Sequence, residues 1–148
     1  MKISAILSTM ILASILLPGC TAYYVISPDQ LAHQMKAEQK RESRTQVIPI
    51  APVFLSNRYD ANSIKKLLCT DESGDTLWVY PNKDTQLEFT TRSGDVVNMY
   101  FDTVFLEGSK LKGLRSRLLN LQREVDLSDV VKIEVYTELS KTEPIRPK

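Results

Sequence analysis

From Leu67 onward, apolar residues recur at every second position, in short runs broken by turn-forming clusters. Such alternation sends one row of side chains toward a core and the other toward water, the pattern of antiparallel sheet. Leu67 to Thr70 precedes the turn cluster Asp71-Glu72-Ser73-Gly74-Asp75, and Thr76 to Tyr80 is stopped by Pro81-Asn82-Lys83-Asp84. Between Thr85 and Thr91, Leu87 and Phe89 face one way while Gln86, Glu88 and Thr90 face the other. Ser93-Gly94-Asp95 then turns the chain into one long predicted strand lined by Val97, Met99, Phe101 and Phe105. Val131, Ile133 and Val135 form the last alternating set.

Residues 107–125 admit two readings. Leu111, Leu114, Leu118, Leu121 and Val125 fit helical spacing, but Gly108-Ser109 suits a two-residue hairpin turn and Gly113 weakens a helix. The hairpin reading, continued to about Leu119, is favoured. The fold class expected is therefore mainly β: a small antiparallel roll or barrel of five to six strands over residues 55–138.

The segments on either side look less like core. Tyr23-Tyr24-Val25-Ile26 could lie at a membrane interface or add a strand, and Ser27-Pro28-Asp29-Gln30 is a good helix start with a capping serine. A helix from there to about Ser43 has a thin apolar stripe, Leu31 and Met35, and should bury little. Pro49 and Pro52 impose extended backbone on Ile48-Pro49-Ile50-Ala51-Pro52, which reads as a linker or edge segment. Residues 20–54 are accordingly expected to form an anchor and tether with a short helix. Residues 139–148, with Pro144 and Pro147, are expected to be a disordered tail.

At the start of the chain, Lys2 precedes an uncharged, mostly apolar stretch from Ile3 to Leu17, too short for the roughly 20 residues of a comfortable transmembrane span. It ends in Leu17-Pro18-Gly19-Cys20. This sequence resembles the lipobox of bacterial lipoproteins, with Leu17 at −3, Gly19 at −1, and Pro18 standing where Ala or Ser is common. The resemblance implies a signal peptide over residues 1–19, a diacylglycerol on the Cys20 thiol and acylation of the new amino group. Two or three acyl chains would hold the protein durably at a membrane.

Removing residues 1–19 takes away Lys2 and leaves equal numbers of acidic and basic residues, 18 of each. A neutral chain gives no global argument for nucleic acid. The content is ordinary for a globular protein, 43% hydrophobic and 25% charged. If Cys20 carries lipid, Cys69 has no partner and reads as a small buried thiol.

Catalytic and metal-binding patterns are sparse. The single histidine, His33, lies in the expected tether and far from Cys69, which disfavours Cys/His and Ser/His/Asp catalysis. No zinc-type ligand spacing or phosphate-binding glycine loop occurs, and no cofactor is expected. Asp71, Glu72 and Asp75 form the tightest carboxylate set, in a context that reads as a solvated turn. The one local charge feature is the basic run Lys110, Lys112, Arg115, Arg117 and Arg123, with Glu107 the only acid beside it. Lys110, Lys112, Arg115 and Arg117, with Tyr80 and Tyr100, make the candidate interaction surface, although strand parity divides the charges between two faces.

Thr103-Val104-Phe105-Leu106, Lys112-Gly113-Leu114-Arg115-Ser116-Arg117 and Asp126-Leu127-Ser128-Asp129 through Val135 resemble the C-terminal part of small uncharacterised lipoproteins of Bacteroidota-type bacteria. That likeness implies no particular activity. Thr21 follows Cys20, so the aspartate that retains many lipoproteins at the inner membrane is missing. By that analogy the expected location is the outer membrane, facing the periplasm. The leading expectation is a non-catalytic binding or scaffolding module with an envelope protein partner. An envelope-polymer hydrolase using Asp and Glu, or a carrier of a small apolar ligand, are the alternatives.

Overall fold

In the computed structural model, which describes residues 21–138 and 141–145, the alternating segments fold into antiparallel strands. The chain order is β1 (Thr21–Ile26), α1 (Pro28–Glu38), β2 (Arg41–Ile50), β3 (Val53–Asn62), β4 (Leu67–Thr70), β5 (Thr76–Tyr80) and β6 (Gln86–Thr91). It continues with β7 (Val96–Tyr100), β8 (Phe105–Glu107), β9 (Lys110–Ser116), β10 (Leu121–Asp126), β11 (Val130–Glu138) and β12 (Lys141–Pro144). Seven strands form one sheet in the order β12-β5-β4-β1-β11-β6-β7, three form a second, β10-β9-β8, and among the described residues β2 and β3 pair only with each other. The protein is mainly β, as expected. The single roll or barrel of five to six strands is corrected to twelve strands in three antiparallel sheets among the described residues.

The extra strands come from segments read as tether and tail. β1 lies inside the seven-stranded sheet, paired with β11 from Thr21 opposite Glu138 to Ile26 opposite Ile133, and with β4 on its other side. β12 pairs with β5, so residues 141–144 of the expected tail are strand. Glu138 and Lys141, three residues apart, can be separated by at most about 11 Å. In a flat sheet the four spacings between β11 and β12 would measure about 19 Å. The sheet must therefore bend strongly to bring its far edge back.

α1 begins as the sequence predicts: Ser27 caps it, its Oγ accepting from the Gln30 backbone N–H at 3.2 Å. It ends at Glu38, short of Ser43, because the chain must enter β2 at Arg41. The expectation that this helix belongs to a tether and buries little is also corrected. Leu31 and Met35 are few but fully buried, and two glutamines fasten the helix on either side. The Leu68 N–H donates to Gln34 Oε1 at 2.8 Å and Gln34 Nε2 donates to the Leu68 carbonyl at 3.3 Å; Gln39 makes the same pair of bonds with Leu106. Each side-chain amide mimics a neighbouring strand, satisfying backbone groups that would otherwise be costly to bury.

The core is filled by Ile26, Leu67, Leu87, Phe89, Met99, Phe101, Leu111 and Ile133 among others. The long strand expected from Val97 to Phe105 is instead broken by a 3₁₀ turn at Phe101–Thr103, separating β7 from β8. A register shift between Val130 and Lys132 exposes Val131, which the alternation had placed inside. Residues 107–125 are strands joined by turns, not helix: Gly108, at φ 64°, sits in the predicted turn, and β9 stops at Ser116, short of Leu119, where a second turn leads into β10 at Leu121. β9 crosses close over β7: a Cβ at Gly113 would lie 2.9 Å from Met99 Sδ.

Candidate functional site

Every residue from Val47 to Leu55 is apolar, and this run forms the far end of the β2–β3 ribbon. The register sets Ile50 opposite Val53 and Ile48 opposite Leu55 on one face, and Pro49 opposite Phe54 on the other. Both faces of the tip are thus apolar. Val47, Ile50, Val53 and Leu55 are exposed, and Phe54 is 75% exposed. Covering side chains of this kind contributes roughly 1.5–3 kcal/mol each, a gain left unused here. Contiguous apolar surface of this sort marks an interaction site. Its sequence signal was the unbroken run of apolar residues; the two prolines led to a linker reading. Pro at the edges of a two-stranded ribbon takes no inner hydrogen bond from a neighbouring sheet.

A ribbon of two strands is marginal alone, and this one is held at its base by buried polar groups. Asn62 Nδ2 donates to the carbonyls of Phe101 at 2.7 Å and Val104 at 3.0 Å. Tyr59 donates its hydroxyl to Asp102 Oδ2 at 3.2 Å. Asp102 is turned inward by the 3₁₀ segment and forms an ion pair with Arg117, both side chains nearly covered. Arg117 also donates to the Lys83 carbonyl and stacks on the Tyr100 ring at 3.9 Å. Asn57 Nδ2 in turn donates to the Arg117 carbonyl. Burial and the Asp102 carboxylate push the Tyr59 hydroxyl above its ordinary pKa.

This network disperses the predicted interaction surface. Arg117 is buried and Tyr100 half-buried beneath it, so both are structural. Lys110 pairs with Glu124 and Lys112 with Glu107, each at 2.8 Å. Tyr80, half-buried on β5, donates its hydroxyl to Glu143 Oε2 at 2.8 Å. Arg115 is exposed. The six residues form no single patch. Cys20 lies outside the described residues.

Between the hairpin base and β9–β10 opens a groove of about 410 Å³, lined among others by Arg41, Arg58, Asp60, Glu107, Lys112 and Gln122. Arg41 bridges Asp60 at 3.1 Å and Glu107 at 2.6 Å, with its guanidinium 4.2 Å from the Phe105 ring centre. Lys112 and Arg41 hold the Glu107 carboxyl below the usual carboxylate range. Acid–base hydrolysis needs one carboxyl raised toward neutrality; Glu107 is shifted the other way. Elsewhere, Asp71 Oδ1 accepts from the Ser73 and Asp75 N–H groups, the geometry of a turn. Burial pushes the Cys69 thiol up to about 12, and His33 is exposed on α1. Among the described residues no three His, Cys, Asp or Glu side chains are grouped to hold a metal, and no helix is long and apolar enough to cross a membrane. Comparison with protein-family models, curated proteins and solved structures finds no match to this chain.

Proposed function

We propose that this chain is a lipid-anchored, non-catalytic binding module of the bacterial cell envelope, held through Cys20, whose contact element is the β2–β3 hairpin. The observation that carries the reading is the exposed, wholly apolar tip from Val47 to Leu55, projecting from a base fixed by the Asp102–Arg117 pair. A rigid base with an uncovered apolar end suits binding, because the ordering cost of the ribbon is already met before contact. The lipobox-like Leu17-Pro18-Gly19-Cys20 supports the anchor, and Thr21 after it supports outer-membrane residence facing the periplasm. The paired, ionised carboxylates of the groove favour binding over hydrolysis.

A photocrosslinking residue placed at Phe54, in intact envelopes, tests the reading. The expected result is adduct formation several-fold above that at Val96, an exposed apolar position in a different part of the fold, and beyond what their 75% and 53% exposures would account for. Equal labelling at the two positions contradicts it. In parallel, metabolic labelling with a fatty acid should mark the protein and be lost in Cys20→Ala; a label that persists removes the anchor.

A further inference from the structure

Strand registers place the apolar tip at the same end of the molecule as the start of β1. Thr21 is opposite Glu138, Tyr136 opposite Gln86, and Gln86 opposite Tyr100, so these residues mark one end of β1, β11, β6 and β7. Arg117 stacks on Tyr100 at that end, and Asn57 bonds to Arg117. The opposite end is fixed by Arg92 N–H on the Asp129 carbonyl and by Leu127 N–H on the Ser109 carbonyl. The ribbon therefore runs from its base at Glu107 toward the Thr21 end, and from Asn57 it continues four residues further to Val53, about 14 Å at strand rise.

A second apolar feature lies at that end. The turn after β9 exposes Leu118 and Leu119, the latter 74% exposed, directly beside Arg117, and Leu121 at the start of β10 is exposed too. Cations flank both features: Arg58 is exposed on the ribbon, which has no carboxylate between Arg44 and Arg58, and residues 115–123 carry the exposed Arg115 and half-buried Arg123 with no carboxylate, Arg117 being taken up by Asp102. Cys20 is joined to Thr21 by one peptide bond, so the lipid of the proposed anchor would leave the protein at this same end.

We propose that the tip of the β2–β3 hairpin and the Leu118-Leu119 turn enter the interface of the membrane that holds Cys20, giving the protein a second and third lipid contact and a fixed orientation. The occupant is a lipid surface rather than a protein groove, because the tip is apolar on both faces and an isotropic apolar medium covers both at once. This deepens the proposed function and rests on its anchor for the choice of membrane. Entry stops at the interface: among the described residues β2 and β3 pair only with each other, so their outer backbone groups would go unsatisfied deeper in hydrocarbon. Pro49 and Pro52 remove two N–H donors near the turn, which makes the apex the part best suited to shallow burial. Arginines behind an apolar edge match the anionic headgroups of such a surface.

The test uses the processed, lipidated chain in vesicles of phosphatidylethanolamine with a minority of phosphatidylglycerol. An environment-sensitive fluorophore is attached through Phe54→Cys, Leu119→Cys or Val96→Cys, the buried Cys69 thiol staying unlabelled. A nitroxide on the lipid chains should quench the probes at 54 and 119 several-fold more than the probe at 96, and aqueous iodide should show the reverse order. Iodide quenching at 54 and 119 equal to that at 96, or shielding of the tip from both quenchers as a second copy would give, overturns the proposal. Mass spectrometry of the N-terminal peptide reads the anchor separately. If Cys20 lacks lipid, the anchor reading falls by itself, and the same quenching on the Cys20→Ser chain decides the tip.

Discussion

At its base the β2–β3 hairpin buries polar groups, and at its tip it exposes apolar ones. Asn62, Tyr59 and Asn57 reach inward to backbone carbonyls, Asp102 and Arg117, whereas Val53, Phe54 and Leu55, on the same strand, are left exposed by the described residues. The two halves share one continuous register, and they differ in side chains and in surroundings, the base lying against the rest of the protein and the tip clear of it. The base offsets its desolvated charges with an ion pair and hydrogen bonds that leave Arg117 Nε without a partner; the tip has no internal reason to be apolar. What the contrast teaches is where internal packing stops accounting for the side chains of this ribbon.

Removing the base should have the largest effect. Asp102→Leu strands the Arg117 guanidinium in a covered site, and losing one partner of a buried pair costs about 3–5 kcal/mol. Urea unfolding should show that loss. The double variant Asp102→Leu with Arg117→Met should recover most of it, because the expense lies in the unpaired charge.

The helix α1, whose Leu31 and Met35 are fully buried, gives the next effect. Leu31→Ala should destabilise by about 2–5 kcal/mol, measured by the same unfolding curves; a loss within experimental error would restore the tether reading of α1. At the tip the sign of importance reverses. Phe54→Ser should change stability by no more than about 0.5 kcal/mol while markedly reducing lipid contact in vesicle flotation of the Cys20→Ser chain.

The smallest effect belongs to the groove. Glu107 has a depressed pKa in the folded state, so its pairs with Lys112 and Arg41 add stability above the unfolded carboxylate pKa. That contribution is lost as pH falls through the lower folded value. Stability of Glu107→Gln should therefore converge with that of the parent on acidification, and the gap at neutral pH should be slight and shrink with salt, since the pairs are exposed.

Local chemistry made much of the sheet readable. Leu67–Thr70 and Thr76–Tyr80 are strands as the alternation and the intervening Ser73-Gly74 turn require, and Ser27 does cap α1. β1 and β12 were harder because their partners are distant: Thr21 meets Glu138, and Lys141 meets Tyr80, pairings that no local pattern encodes. β2 and β3 were obscured by Pro49 and Pro52, which argue against a strand in a wide sheet but not in an isolated ribbon. At the candidate site, charge misled. Arg117 reads as solvent-facing until the 3₁₀ turn brings Asp102 beneath it, and that turn interrupts an otherwise good strand pattern. The apolar run Val47–Leu55 was fully visible, but its exposure depends on the ribbon standing clear of the other two sheets.

The central claim is that the tip meets lipid while the base only holds it in place. Spin labels introduced singly along β3, at Phe54, Ser56, Arg58 and Asp60, on the membrane-bound chain test it most directly. The account predicts a gradient, with oxygen accessibility highest at 54 and accessibility to an aqueous paramagnetic reagent rising steadily toward 60. A flat aqueous profile from 54 to 60 would contradict it.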